Sequence, residues 1–148
     1  MTELAPTVAK VAPVNDTEYV ARTYIAAAAI AAGECVYLTS TGKADLALST
    51  ALATCEPLLG IATHSAGAGA PVEVLSMGAM EGMGVSGLSY GVPIYVSETN
   101  AGDLTTTAPS TSTDVVAKVG KVLAMSGPGL EKVLWVQIDL AQLLVVHG

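Results

Sequence analysis

Hydrophobic positions along the chain alternate over short stretches and are repeatedly broken by glycine. The clearest case lies near the C-terminus, where Leu134, Val136, Ile138 and Leu140 alternate with Trp135, Gln137 and Asp139. This period of two predicts a strand with one face in the core and the other half wet. Residues 17–28 are rich in β-branched and aromatic side chains and predict another strand. Further strands are predicted at 35–39, 58–63, 72–77 and 79–85, with a short one at 43–48. Between them lie turn and loop segments at 40–43, 65–71 and 86–91, marked by glycine, serine and proline. Residues 26–32 have helical propensity, but Gly33 follows at once and a strand begins at Cys35, so a turn is more economical. The best helix candidate is 46–56, closed by Pro57, because a residue before proline avoids the helical region. The apolar tail 141–146 reads as a final strand or a docking segment.

Residues 91–140 run strand, turn, strand, Ser/Thr-rich loop, strand, glycine turn, strand, and the first half of the chain echoes them. Gly33-Glu-Cys-Val-Tyr-Leu matches Gly91-Val-Pro-Ile-Tyr-Val at an offset of 58 (91 − 33). Gly42, Gly60 and Gly67 match Gly102, Gly120 and Gly127 at 60 (102 − 42). Val72-Glu-Val-Leu then falls near residues 132–136 with a slip of one or two positions. Each unit reads as a small antiparallel meander that cannot bury both its faces alone. The expected fold is therefore mainly β: a compact antiparallel β-barrel or sandwich built from two similar β-units, about 33–77 and 91–140, with at most one short helix. Residues 1–18 form an extended N-terminal arm and 19–148 the β-domain. Pro6 and Pro13 keep the arm out of regular pairing. It is either a disordered tail or an arm lying on a neighbouring subunit.

Composition narrows the function. The chain has 148 residues, enough for one domain or two halves sharing a core. Apolar residues make up 51% and charged residues 13%, about half the usual ~25%. Either an alanine-rich bias explains this, or part of the exterior is meant to be covered by partners. A net charge of −7 with six scattered basic residues excludes binding nucleic acid through phosphate neutralisation. The N-terminus lacks a basic and then apolar leader, and the longest apolar run, 25–32, is far short of the ~20 residues of a membrane span. A soluble protein made in a cytoplasm is expected.

No reactive constellation emerges. Cys35 and Cys55 lack metal-ligand spacing and read as buried free thiols, with a disulfide as the alternative. His64 and His147 are far apart, and no nucleophile elbow joins a serine to them. Gly82-Met-Gly lacks the lysine of a phosphate loop. Met77, Met80 and Met83 are fillers rather than a thioether metal site. No catalytic set, cofactor site or metal site is assigned. The interface candidates are Val8, Val11 and Val14 in the arm, Tyr19 at its junction with the β-domain, and Trp135 and Gln137 on the outward face of the last strand. Trp135 reads equally as an interface anchor or as a core residue of a second sheet.

Several motifs carry a family resemblance. They are Ala-Gly-x-x-Val-Tyr-Leu at 32–38 with its Gly-Lys turn, Leu-Gly-Ile-Ala at 59–62, and, in the second half, Gly91-Val-Pro-Ile-Tyr-Val, Val119-Gly-Lys-Val-Leu and Val133-Leu-Trp-Val-Gln-Ile. Over about residues 19–140 the chain resembles the capsid decoration (cement) proteins of tailed bacteriophages, in particular the DUF2190-like family. It departs from that pattern at Lys121, where an apolar residue is usual, and in its longer proline-bearing arm. The resemblance implies a virion structural protein on the head exterior. It also implies a homotrimer clamping the major capsid protein, with no enzymatic activity, cofactor, nucleic acid or membrane. The alternatives are a tail, baseplate or fibre β-module, or a small ligand-binding domain.

Overall fold

The computed structural model describes residues 3–14, 19–111, 114–124, 132–138 and 144–145. In chain order the strands are β1 (Ala12–Pro13), β2 (Val20–Ile25), β3 (Cys35–Leu38), β4 (Ala44–Leu46), β5 (Leu58–Ala62) and β6 (Pro71–Glu81). They continue as β7 (Pro93–Val96), β8 (Leu104–Thr105), β9 (Val115–Val116), β10 (Lys118–Ala124), β11 (Lys132–Gln137) and β12 (Leu144–Val145). The only helical turns among the described residues are two of 3-10 type, Val8–Lys10 and Leu52–Thr54. The fold is mainly β, a curled antiparallel sheet forming a half-barrel, with β12 and β9 paired separately.

The 11-residue strand β6 is the spine. Its Leu75 pairs with both Ile61 of β5 and Ala21 of β2, so those strands lie on opposite edges. Met77 is shared between Val20 of β2 and Gln137 of β11, and Met80 between Pro13 of β1 and Leu134 of β11. One edge of β6 therefore takes β5 and then β11, while the other takes β2 and then β1. The sheet continues from β5 into β3 and β4, and from β11 into β10, β7 and β8.

These two branches repeat one another residue by residue. Cys35, Val36 and Tyr37 face Ile61, Gly60 and Leu58, with a register slip between Val36 and Tyr37. Pro93, Ile94 and Tyr95 face Lys121, Gly120 and Lys118, with a slip at the same place. The offset is 58 on the first strand (94 − 36) and 60 on the second (120 − 60). Tyr37↔Asp45 and Leu38↔Ala44 recur as Tyr95↔Thr105 and Val96↔Leu104. Ile61↔Leu75 and Ala62↔Val74 recur as Lys121↔Trp135 and Val122↔Leu134, with no slip in the last strand. The loop bonds match too: Gly33 N–H to Ala62 O (2.9 Å) becomes Gly91 N–H to Val122 O (2.7 Å). The C-terminal half of β6 pairs with β11 as β2 pairs with the N-terminal half of β6. One strand thus ends the first unit and begins the second.

Gly60 and Gly120 explain the shared slip. A Cβ at Gly60 would sit 2.0 Å from Leu75 O, and one at Gly120 would sit 1.8 Å from Trp135 O. Only a residue without a side chain lets the strands approach this closely at the bulge.

Three local expectations give way. The predicted helix 46–56 is instead the end of β4 at Leu46 and a loop holding a single 3-10 turn, Leu52–Thr54. Its backbone is claimed from elsewhere: Ala47 N–H donates to Cys35 O and Ser49 N–H to Ser97 O. The predicted strands 72–77 and 79–85 are one strand, which runs through Gly78 and stops at Glu81. The arm, described from Glu3 to Val14, is placed against its own chain. Leu4 N–H donates to Leu104 O (2.8 Å), Thr7 N–H to Gly82 O (2.9 Å) and Val14 N–H to Ala79 O (2.9 Å). Leu4, Val11 and Val14 are buried. Gly84 permits the crossing, since a Cβ there would meet Ala5 O at 2.6 Å.

Gly60→Ala and Gly120→Ala should each cost more than about 4 kcal/mol or abolish folding. Gly67→Ala, with nothing within 4 Å of its Cβ, should be nearly neutral in the same denaturant titration. In the arm, Leu4→Ala should cost about 2–3 kcal/mol by the cavity it leaves. A Leu4→Ala variant as stable as the parent would show that the arm does not close the core.

Candidate interaction face

Each unit has an inner face and an outer face, and the two outer faces meet different fates. The outer face of the first unit carries Cys35, Leu58, Ile61 and Leu75, all buried in the main core, with Tyr37 packed against it. That core also holds the inner residues of the second unit, Ile94, Val96, Val119, Val122 and Leu134. The first unit's own inner residues, Val36, Ala44, Ala62, Val72 and Val74, form a second cluster under Ala26 and Ile30. The molecule is thus a stack in which the outer face of the first unit covers the inner face of the second.

The outer face of the second unit ends the stack. Its residues alternate with the core positions, as strand geometry requires. One row across the sheet is Pro93, Lys121, Trp135 and Ala79; the next is Gln137, Met77 and Val20. Lys118, Lys121 and Gln137 are exposed, as are Met77, Val20 and Leu123. Trp135 is half-buried, packed against the small cluster of Val14, Ala79 and Val133. Its indole N–H donates to Gln137 Oε1 at 3.3 Å. The indole is therefore fixed in place, its polar atom is partnered, and part of its surface stays open.

The residues singled out from sequence separate into groups. Trp135 and Gln137 lie together on this face, and Val14 supports Trp135 from below. Tyr19 is exposed just before β2, beside Val20 of the same patch. Val11 faces the main core and Val14 its satellite, so both are covered by their own chain rather than open to a partner. Val8 is exposed on the arm's 3-10 turn, away from Trp135 in the sheet. Asp139 lies outside the described residues. Lys118 and Leu123 were not singled out, and Lys121 and Met77 were noted from sequence only as a departure from the family pattern and as a filler, not as interface residues. The signal that could have found the lysines was the repeat itself, since at an offset of 60 they replace Leu58 and Ile61.

Other polar groups are engaged structurally. Cys35 and Cys55 are free and buried. Burial pushes the Cys55 thiol up to about 12 and Cys35 well above its ordinary value, so neither is poised as a nucleophile. His64 pins the 65–71 turn: its Nε2 accepts from Glu73 N–H (3.1 Å), which leaves Nδ1 to donate to Ser65 O (3.0 Å). Met80 and Met83 are core side chains, whereas Met77 is on the surface. Among the described residues no group of three or more His, Cys, Asp or Glu could hold a metal. No described helix is long and apolar enough to cross a membrane. Lys132 donates to Ser86 O (3.3 Å) and stands 5.1 Å above the Tyr90 ring, beside an open cleft of about 660 Å³ lined also by Thr7, Lys10 and residues 82–85.

One carboxyl pair titrates unusually. The buried Asp114 hydrogen-bonds Glu98; this bond, followed by burial and the charge of Glu98, pushes Asp114 up to about 6. The same bond, with donors from Thr111 and Ser110, holds Glu98 below its ordinary value. In the unfolded chain both carboxyls ionise in the ordinary range, whereas the folded pair keeps one proton up to about pH 6. Stability contributed by the raised Asp114 is lost as pH rises through that value, and that contributed by the lowered Glu98 is lost in stronger acid.

No known protein family matches the chain, and no curated protein and no solved structure matches it. Function is therefore read from the surface.

Asp114→Asn keeps a donor toward Glu98 and removes the second charge. Its Tm should exceed the parent's by a few degrees at about pH 7.5, by less at about pH 5, and should approach it only below about pH 4. Equal melting temperatures at both pH values would mean that no proton is shared.

Proposed function

We propose that this protein is a capsid decoration (cement) protein of a tailed bacteriophage. It binds the outer surface of the head as a homotrimer, contacts the major capsid protein and stabilises the mature shell. The observation that carries this reading is the apolar surface left uncovered by the fold. Tyr19, Val20, Ile25, Met77, Tyr90 and Leu123 are each at least 39% exposed, on a chain of which only 13% is charged. Of these, Tyr19 and Val20 adjoin Met77 across β2 and β6, and adjoining exposed apolar residues of this kind mark sites covered by other proteins. The motifs that carry the resemblance to decoration proteins fall on β3, β5, β7, β10 and β11, and so on the strands that build both units.

The mechanism is mass action. A protein that binds only the expanded lattice stabilises it by RT ln(1 + [L]/Kd) at each site, about 2.7 kcal/mol at a hundredfold excess over Kd. A trimer engages several capsid subunits at once and gains avidity without any new contact.

Purified protein mixed with expanded, undecorated heads of its own phage should bind stoichiometrically and raise their disruption temperature. Failure to bind any head form, or gold label confined to tails or fibres of intact virions, would contradict the proposal.

A further inference from the structure

The matched registers allow the two outer faces to be compared position by position. Cys35, Leu58, Ile61 and Leu75 of the first unit become Pro93, Lys118, Lys121 and Trp135 in the second. Four buried side chains are thus exchanged for a pyrrolidine ring, two cations and an indole. Another β-unit of the kind that covers the second unit's inner face does not fit here, because it would bury two ammonium groups against aliphatic carbons. Repeat stacks end in the same way, with a polar outer face on the last unit.

The face is nevertheless not simply a solvated cap. Trp135 is seated on Val14, Ala79 and Val133 and bonded to Gln137. A partner that covers the ring has little side-chain freedom left to remove. Tryptophan held in this way at the centre of a sheet face is the residue type most enriched among interface hot spots. Lys121 lies directly opposite it in register, and Lys118 opposite Tyr95 on the next strand. The face therefore concentrates two of the six basic residues of a chain whose net charge is −7. On β6, Glu81 lies two residues beyond Ala79, the residue opposite Trp135.

We infer that this face docks an acidic segment of a partner protein, with carboxylates meeting Lys118 and Lys121 around an apolar side chain laid on Trp135. The inference rests on the decoration reading, in which that partner is the major capsid protein. The choice of face and of partner chemistry comes from the local charge and the fixed indole.

The test is co-sedimentation of the full chain with expanded heads, at low and at high salt. Charge reversal by Lys118→Glu with Lys121→Glu should weaken binding by at least about tenfold at low salt and by less at high salt. Trp135→Ala should weaken it comparably and Trp135→Phe less. Lys43→Glu, an exposed lysine at the β3–β4 turn, should bind as the parent does. Unchanged binding by the charge-reversed and Trp135→Ala proteins, with circular dichroism showing them folded, would overturn this inference and leave the decoration reading standing. Absence of binding by the parent chain would sink both. Trp135 is the sole tryptophan, so its emission reports on the face without heads present. A blue shift with rising protein concentration would overturn the inference in favour of a second copy seated there.

Discussion

Everything in this fold depends on β6 being paired along both of its edges. Its first half holds β5 and β2, and its second half holds β11 and β1. No other strand closes one unit and opens the next. Without β6, each meander would keep an unpaired edge and an uncovered apolar face, a combination marginal in water. The continuity runs through Gly78, a residue that looks like a break in the sequence. The two bulge glycines, Gly60 and Gly120, then bring the neighbouring strands close enough for one register to be used twice.

Sharing a strand makes the two units equivalent in backbone but not in surroundings. The first is enclosed on both sides, by residues 26–30 on one and by the second unit on the other. Among the described residues the second is enclosed on one side only. The side chains have diverged accordingly, from Leu58 and Ile61 to Lys118 and Lys121, while the backbone registers have not. The arm makes the open side rigid rather than covering it, since Val14 lies beneath Trp135 and leaves the ring's outer surface free. A surface that is preorganised, partly apolar and locally cationic follows from this geometry.

Local pattern made part of this legible. The alternation at 134–140 marked the strand that is β11 and placed Trp135 and Gln137 on one outward face. Gly33 and Gly91 marked a shared hydrogen bond and Gly60 and Gly120 a shared register, whereas Gly42 and Gly102 share a positive φ but not a hydrogen-bond partner. What stayed hidden was non-local. Nothing around residues 46–56 reveals that Ala47 and Ser49 bond to Cys35 and Ser97, so propensity favoured a helix there. The arm's position was invisible because Leu4 and Val14 find their partners at Leu104 and Ala79, far along the chain. Lys118 was overlooked, and Lys121 was noted only as a departure from the family pattern, because a lysine in a strand reads as ordinary solvated surface. Only their alignment with Leu58 and Ile61 gives them meaning.

Reciprocal substitution of Ile61 and Lys121, which hold the same place in the two units, tests the central claim most directly. Ile61→Lys buries an ammonium group in the main core and should cost more than about 4 kcal/mol or prevent folding. Lys121→Ile should leave stability within about 1 kcal/mol of the parent while lowering solubility. That asymmetry, measured by urea denaturation of both proteins, is the predicted result. Equal costs at the two positions would contradict the stacked arrangement in which one outer face is buried and its counterpart is open.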